Sequence, residues 1–338
     1  MWSDRLEPAA CRHLVERLRQ VLAAPRREAQ SRTIDLNWQR ETAEVAEAQP
    51  RRAGIMWLDQ PHTRIFTNPL ATIMVTDGHA SISGPAGTVQ WEGGGFDVLE
   101  AVLAAWSGPA EALLCGYLGY ELGCDLEEVA PPSRRPADLP DLYLALYDRR
   151  LEHREGKWQF RGTDAWRPIC EQEVGRGAAA GAGGFESGVV TSTPGEEQFC
   201  DAVARAAERI YGGELFQVNL CRRLEAALPE EQIRPLYHRL RAISPASQGA
   251  WLDLGEGRAV LSASPELFLG VAARQVRSCP IKGTRPRGAT PEEDQALACA
   301  LQQSEKDRAE LAMIVDVTRN DLGRVCRAGS VAVARHAE

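Results

Sequence analysis

The side chains best suited to chemistry lie between Arg277 and Arg324. The centre of that stretch is Pro280-Ile281-Lys282-Gly283-Thr284-Arg285-Pro286-Arg287-Gly288. Of the 39 basic residues in the chain only three are lysines, Lys157, Lys282 and Lys306. A guanidinium stays protonated and cannot attack an electrophile, whereas a desolvated lysine amine can. A lysine inside a loop rich in Pro and Gly therefore has two readings: an amine kept for chemistry, or an ordinary solvated loop residue. Pro280 and Pro286 fix φ and lack an N–H, so the segment reads as a loop. Gly283 and Gly288 leave the main chain open to close approach. Cys279, three residues before the lysine, reads as a small apolar residue rather than a reactive thiol.

Further motifs change the weight of those readings. Gly213-Glu214-Leu215-Phe216-Gln217-Val218-Asn219-Leu220, Ser262-Ala263-Ser264-Pro265-Glu266-Leu267-Phe268, the lysine loop and Ser304-Glu305-Lys306-Asp307-Arg308-Ala309-Glu310-Leu311 follow one another in the order found in the chorismate-utilising enzymes. That family includes anthranilate synthase component I, aminodeoxychorismate synthase component I, and isochorismate and salicylate synthases. The resemblance is dense from about 193 to 333. Within the family, Pro-Ile-Lys-Gly-Thr resembles the aminodeoxychorismate synthases, since anthranilate synthases usually carry a small apolar residue where Lys282 stands.

The resemblance implies an α/β fold of the α+β type, with large antiparallel sheets flanked by helices. It implies that Lys282 is a covalent nucleophile toward chorismate and Glu266 the general acid/base, held in a partly buried site. Gly283 and Thr284 would touch substrate through a backbone N–H and a hydroxyl. Glu310 would be a ligand for Mg²⁺. Ammonia would come from a separate glutamine amidotransferase subunit, and the product would be 4-amino-4-deoxychorismate. Anthranilate or isochorismate formation is the rival outcome, and a non-catalytic, partner-binding fragment is another. The family's tryptophan pocket carries a Leu-x-Ser stretch. The nearest match here is Leu58-Asp59-Gln60, without the serine. Family members continue beyond the last strand expected here, so the sequence reads as a fragment, expected to be inactive alone.

Composition bounds the remaining possibilities. The 338 residues exceed one ordinary domain. A hydrophobic share of 44% and a charged share of 25% suit a globular protein. The net charge of −8 argues against nucleic acid and anionic membrane as partners. No apolar run is long enough to span a bilayer, and no secretory signal is apparent. Nine scattered cysteines without a C-x-x-C pair suggest free thiols and a cytoplasmic location.

Elements must hold these residues in place. Leu14, Leu18, Val21 and Leu22 recur at helical spacing. The expected division is 1–53 as helix and connector, 54–174 as an N-terminal region, 175–188 as a Gly/Ala-rich linker and 189–338 as the catalytic domain. Short strands are expected at 55–58, 64–67, 71–75 and 113–123, with a meander over 142–161. A helix with Leu99, Val102 and Leu103 on one face is expected over 96–106. Thr193-Pro194-Gly195-Glu196 should start a helix with Phe199, Val203, Ala206 and Ile210 buried. A half-buried strand should follow at 216–220. A helix is expected over 236–242, a hairpin across Gly255-Glu256-Gly257, strands at 267–271 and 275–277, a helix over 304–318 and a strand at 329–333.

Overall fold

The computed structural model describes residues 8–23, 32–36, 54–59, 62–107, 112–127, 129, 139–162, 188–215, 217–272 and 274–335. The chain divides into two compact units. One comprises 1–245 and 249–263, the other 246–248 and 264–338. The expected linker lies outside the described residues, apart from Gly188.

The first unit is a mixed α/β structure built on two antiparallel sheets. Its first helix is α1 (Pro8–Val21). The strands are β1 (Arg32–Leu36), β2 (Ile55–Leu58), β3 (Thr63–Phe66), β4 (Ala71–Thr76), β5 (His79–Gly84), β6 (Gly87–Glu92), β7 (Leu113–Leu118), β8 (Leu142–Tyr147), β9 (Arg150–Arg154), β10 (Lys157–Gly162), β13 (Gln248–Gly255) and β14 (Arg258–Ser264). A small pair, β11 (Thr191–Thr193) and β12 (Arg223–Glu225), stands apart from the large sheets. The helices α2 (Gly95–Ala105), α3 (Glu196–Tyr211) and α4 (Ile233–Ile243) complete the unit. One sheet runs β1-β10-β9-β3-β2-β13-β14 and the other β6-β5-β4-β8-β7.

Strand β8 explains the layering. All six of its residues, Leu-Tyr-Leu-Ala-Leu-Tyr, are buried, as a continuous apolar strand covered on both faces should be. Leu142, Leu144 and Leu146 pack with Leu14 and Leu18 of α1 and Val98 and Val102 of α2. Tyr143, Ala145 and Tyr147 face Met56, Phe66, Leu252 and Leu254 of the other sheet. The far side of that sheet carries Trp57, Ile65, Trp158 and Trp251, covered by Tyr237 and Leu240 of α4. The order is helix, sheet, sheet, helix. Strand β4 alternates as a strand with one more deeply covered face must, with Ala71, Ile73 and Val75 buried.

Several expectations need correction. The segment 142–161 is no single meander. Strand β8 pairs with β4 and β7, whereas β9 and β10 belong to the other sheet. The expected strand through Gly123 ends at Leu118 and gives way to a 3-10 turn, Tyr120–Asp125. Helix α2 buries Val98, Ala101, Val102 and Ala105, while Leu103 is exposed, so its inner face is rotated from the expected one. The hairpin β5–β6 and the strand β1 carry too few large apolar residues to have been seen as strands. Helix α3 starts after Gly195 rather than at Thr193, and none of its residues is buried. Val203 and Ile210 are 45% and 41% exposed. Amphipathic spacing defines a face, but burial needs a partner surface. Residues 217–222 form no strand, and Phe216 lies outside the described residues.

The second unit holds the hairpin β15 (Leu267–Ala272) and β16 (Gln275–Cys279), then α5 (Pro291–Gln303) and α6 (Glu305–Val325). Helix α5 was not expected, and α6 outruns its expected end at 318. The strand expected at 329–333 is not formed among the described residues. No described residue of this unit is buried, and Phe268 is 81% exposed. No helix among the described residues is long and apolar enough to cross a membrane.

Candidate active site

The antiparallel hairpin β15–β16 brings the first two candidate residues together. Leu267 at the start of β15 pairs with Cys279 at the end of β16. Glu266, just before β15, and the lysine loop, just after β16, therefore leave the same end of the hairpin. A hydrogen bond closes that end, since Ile281 N–H donates to Glu266 Oε1 at 3.2 Å. Ser264 Oγ accepts from Glu266 N–H at 3.3 Å and fixes the turn that presents the carboxylate. Glu266 is exposed, which corrects the expectation of a partly buried acid.

Lys282 is half-buried, and the loop around it is clasped at two points. Arg285 Nη2 donates to Asp307 Oδ2 at 2.7 Å, and its Nη1 to the Thr284 carbonyl at 2.8 Å. Arg287 meets Asp294 through both arms of its fork, at 2.6 and 2.7 Å. Gly288 N–H donates to the same Asp294 at 2.9 Å. Both arginines beside Lys282 are thus matched with carboxylates. The Arg287 fork, followed by the Gly288 amide, holds the Asp294 carboxyl down at about 2. The Ser304 hydroxyl and then Arg285 hold the Asp307 carboxyl below its ordinary value.

The helices that carry those aspartates are capped by their own sequences. Thr290 Oγ1 accepts from Glu293 N–H at 3.2 Å, while Glu293 Oε2 accepts from Ala289 N–H at 2.8 Å. Ser304 ends α5 and caps α6, accepting from Asp307 N–H at 3.3 Å, as its spacing to Asp307 indicates. Gly283 has φ +81°, and a Cβ there would come within 2.7 Å of Leu301 and 3.1 Å of Asp307. The loop backbone is therefore seated on the junction of α5 and α6, where only glycine fits. A Cβ on Gly288 would lie 2.1 Å from the backbone nitrogen of Asp294. Thr284 is exposed.

Glu310 is half-buried and lies three residues after Asp307 on α6, one turn along the same face. No group of three or more His, Cys, Asp or Glu side chains among the described residues could hold a metal ion. The structure thus joins Glu266, Lys282 and Gly283 at one hairpin end and seats their loop on the helix that bears Glu310. The sequence reading paired Asp307 with Ser304 at the helix start but missed Asp294 and Asp307 as partners of the loop arginines. The readable signal was the basic pair Arg285 and Arg287 followed by acidic first turns in two capped helices. Gln217 and Asn219 are exposed and join no described site. Cys279 is half-buried and accepts from Arg277 Nε at 3.2 Å.

At the stretch that departs from Leu-x-Ser, Asp59 is fully engaged. It accepts from Trp57 Nε1 at 3.0 Å, Thr63 Oγ1 at 3.1 Å, Tyr237 OH at 3.3 Å and Arg241 at 2.7 and 3.1 Å. The Arg241 guanidinium also lies 4.4 Å above the Trp57 ring. Burial, reinforced by Asp59, pushes the Tyr237 hydroxyl well up.

The model of the chorismate binding enzyme family matches residues 54–338. Anthranilate synthase component 1 of Streptomyces coelicolor is 36% identical over 253 residues, covering 67% of this chain and 49% of that protein. Aminodeoxychorismate synthase of Streptomyces pristinaespiralis is 35% identical over 280 residues, covering 74% of this chain and 38% of that protein. The chain thus spans half or less of the length of these relatives. The crystal structure of anthranilate synthase component I from Streptococcus pneumoniae aligns with a TM-score of 0.64 at 23% identity, covering 78% of this chain and 61% of that one, a likeness of fold. On the match from Gly54 to the end of the chain, this protein belongs to the chorismate binding enzyme family.

Proposed function

We propose that this chain carries the aminating site of an aminodeoxychorismate synthase, converting chorismate and ammonia to 4-amino-4-deoxychorismate. The observation that carries the reading is the lone loop lysine, followed by two arginine clasps and preceded by Ile281, whose N–H donates to Glu266 at the hairpin end. Relatives bearing the name aminodeoxychorismate synthase support it. The Lys282 nitrogen forms a bond to the chorismate ring while the double bonds shift and the ring C–O bond to the hydroxyl breaks. Glu266 gives that leaving oxygen a proton, so it departs as water, and the lysine nitrogen loses one. Ammonia then adds and gives up a proton, the double bonds shift back, and the C–N bond to Lys282 breaks as the lysine nitrogen takes a proton back. Splitting one displacement of a poor leaving group into two steps lowers each barrier. Gly283 N–H and the Thr284 hydroxyl would orient the substrate.

Glu310 would give Mg²⁺ one oxygen ligand, with waters and a substrate carboxylate completing the shell, as suits a cation that uses few protein carboxylates. When bound, the ion would neutralise that carboxylate. Ammonia would come from a glutamine amidotransferase subunit. A second reading, formation of anthranilate, is favoured by the relatives that bear that name. Product analysis separates the two. The assay takes chorismate, an ammonium salt and Mg²⁺ with the enzyme completed to the relatives' length. Aminodeoxychorismate as the product supports the proposal, and anthranilate or isochorismate overturns it.

A further inference from the structure

A second charged cluster lies in the first unit, on three adjacent strands of the seven-stranded sheet. Arg150 Nε donates to Glu152 Oε1 at 2.6 Å, Arg161 Nε lies 2.8 Å from Oε2, and Arg64 Nε lies 3.4 Å from Oε1. The register requires this grouping. Arg64 stands opposite Glu152, Arg150 stands opposite Arg161, and Arg150 and Glu152 are two apart on β9. All four side chains share the face that also carries Phe66. The charges of Arg64 and Arg150 reach the Cys115 thiol of β7, although burial still pushes that thiol up to about 12.

The cluster is unbalanced. Three guanidiniums and one carboxylate sum to +2, in a chain whose net charge is −8. The arginine side chains are 29%, 15% and 37% exposed for Arg64, Arg150 and Arg161, and Glu152 is 5% exposed. No second carboxylate pairs with these arginines among the described residues. Each reaches Glu152 through Nε, and the terminal amino groups make no hydrogen bond with the described residues. Like charges held half out of water repel one another and favour a counter-charge. Planar guanidinium forks match phosphate oxygens two at a time, and two excess charges match a dianion.

We propose that Arg64, Arg150 and Arg161, gathered around Glu152, form a binding site for a phosphate dianion, either free or as the end of a phosphomonoester. The site is separate from the lysine loop and does not depend on the amination reading.

The test is titration calorimetry on the 338-residue chain at constant ionic strength, with inorganic phosphate, glycerol 3-phosphate and chloride. Saturable one-to-one binding of phosphate is expected, with chloride a poor competitor. Arg161→Gln and Arg64→Gln should each weaken it roughly 10- to 100-fold, the loss of one hydrogen bond to a charged group. Glu152→Gln should strengthen it, a sign opposite to mere loss of a structural ion pair. Equal affinity for phosphate and the monoester assigns the site to the oxyanion alone. Tighter monoester binding assigns part of it to the organic group. Absence of saturable heat with either ligand, equal competition by chloride, or affinity unchanged in Arg161→Gln overturns the proposal. Arg161 is the most exposed of the three arginines, so its variant keeps the test usable if Glu152→Gln fails to fold.

Discussion

At the scale of single residues, the proposal stands or falls on the Lys282 nitrogen. Lys282→Ala removes the attacking atom while leaving both ion pairs of the loop in place. It is expected to abolish amination at the ring position without lowering the melting temperature. Full-rate turnover by that variant would remove Lys282 from the chemistry. Glu310 separates in a different measurement. Glu310→Gln keeps the size and loses the charge, so the Mg²⁺ concentration for half-maximal activity should rise while the circular dichroism spectrum stays the same. An unchanged Mg²⁺ requirement would make Glu310 a structural residue of α6. As a candidate, Lys282 was legible in the sequence because a rare residue type stood in a Pro/Gly-rich loop. Asp294 and Asp307 were not, because nothing local says which carboxylate an arginine will meet across a loop and a helix junction.

At the scale of elements, the loop's order depends on two carboxylates that start helices. The sign of the pH effect follows from their lowered values. A carboxyl held at about 2 in the fold and near 4 in the unfolded chain contributes fully above about 4. That contribution is lost as pH falls through about 2. A carbon-13 titration of Asp294 should therefore show a midpoint near 2, and Arg287→Gln should return it toward the ordinary carboxylate range. A midpoint already near 4 in the unaltered chain would mean that the clasp is not formed in solution. Elements with dense apolar periodicity, such as α1, β4 and β8, were readable because spacing and partner surface agree. Helix α3 was misread because spacing alone cannot supply the surface that buries Val203 and Ile210. The strand expected at 216–220 failed for a related reason, since alternation needs a neighbouring strand to become a ladder.

At the scale of the whole molecule, burial is unevenly shared. The first unit encloses three apolar clusters, whereas the second buries none of its described residues. Local opening costs least where few apolar contacts must be broken. Limited proteolysis should therefore cut within 264–335 well before it cuts within 54–162. Arg274, at the β15–β16 turn with φ +64°, is an accessible early trypsin site. Equal cleavage rates in the two units would show that the second gains protection from contacts beyond those described. Within the first unit, Leu18 is fully buried, and Leu18→Ala should cost about 2–5 kcal/mol in denaturant unfolding.

The scarcity of lysine has a practical corollary for mass spectrometry. Three amines occupy three distinct settings: Lys157 exposed at the β9–β10 turn, Lys306 exposed in the first turn of α6, and Lys282 half-buried in its clasped loop. An endoprotease that cuts only after lysine yields four peptides, 1–157, 158–282, 283–306 and 307–338. A covalent adduct on the Lys282 nitrogen blocks the middle cut and fuses two of them into 158–306. The ratio of fused to cut peptide then reads directly how much of the protein holds bound substrate at that nitrogen, without a radiolabel or a chromophore.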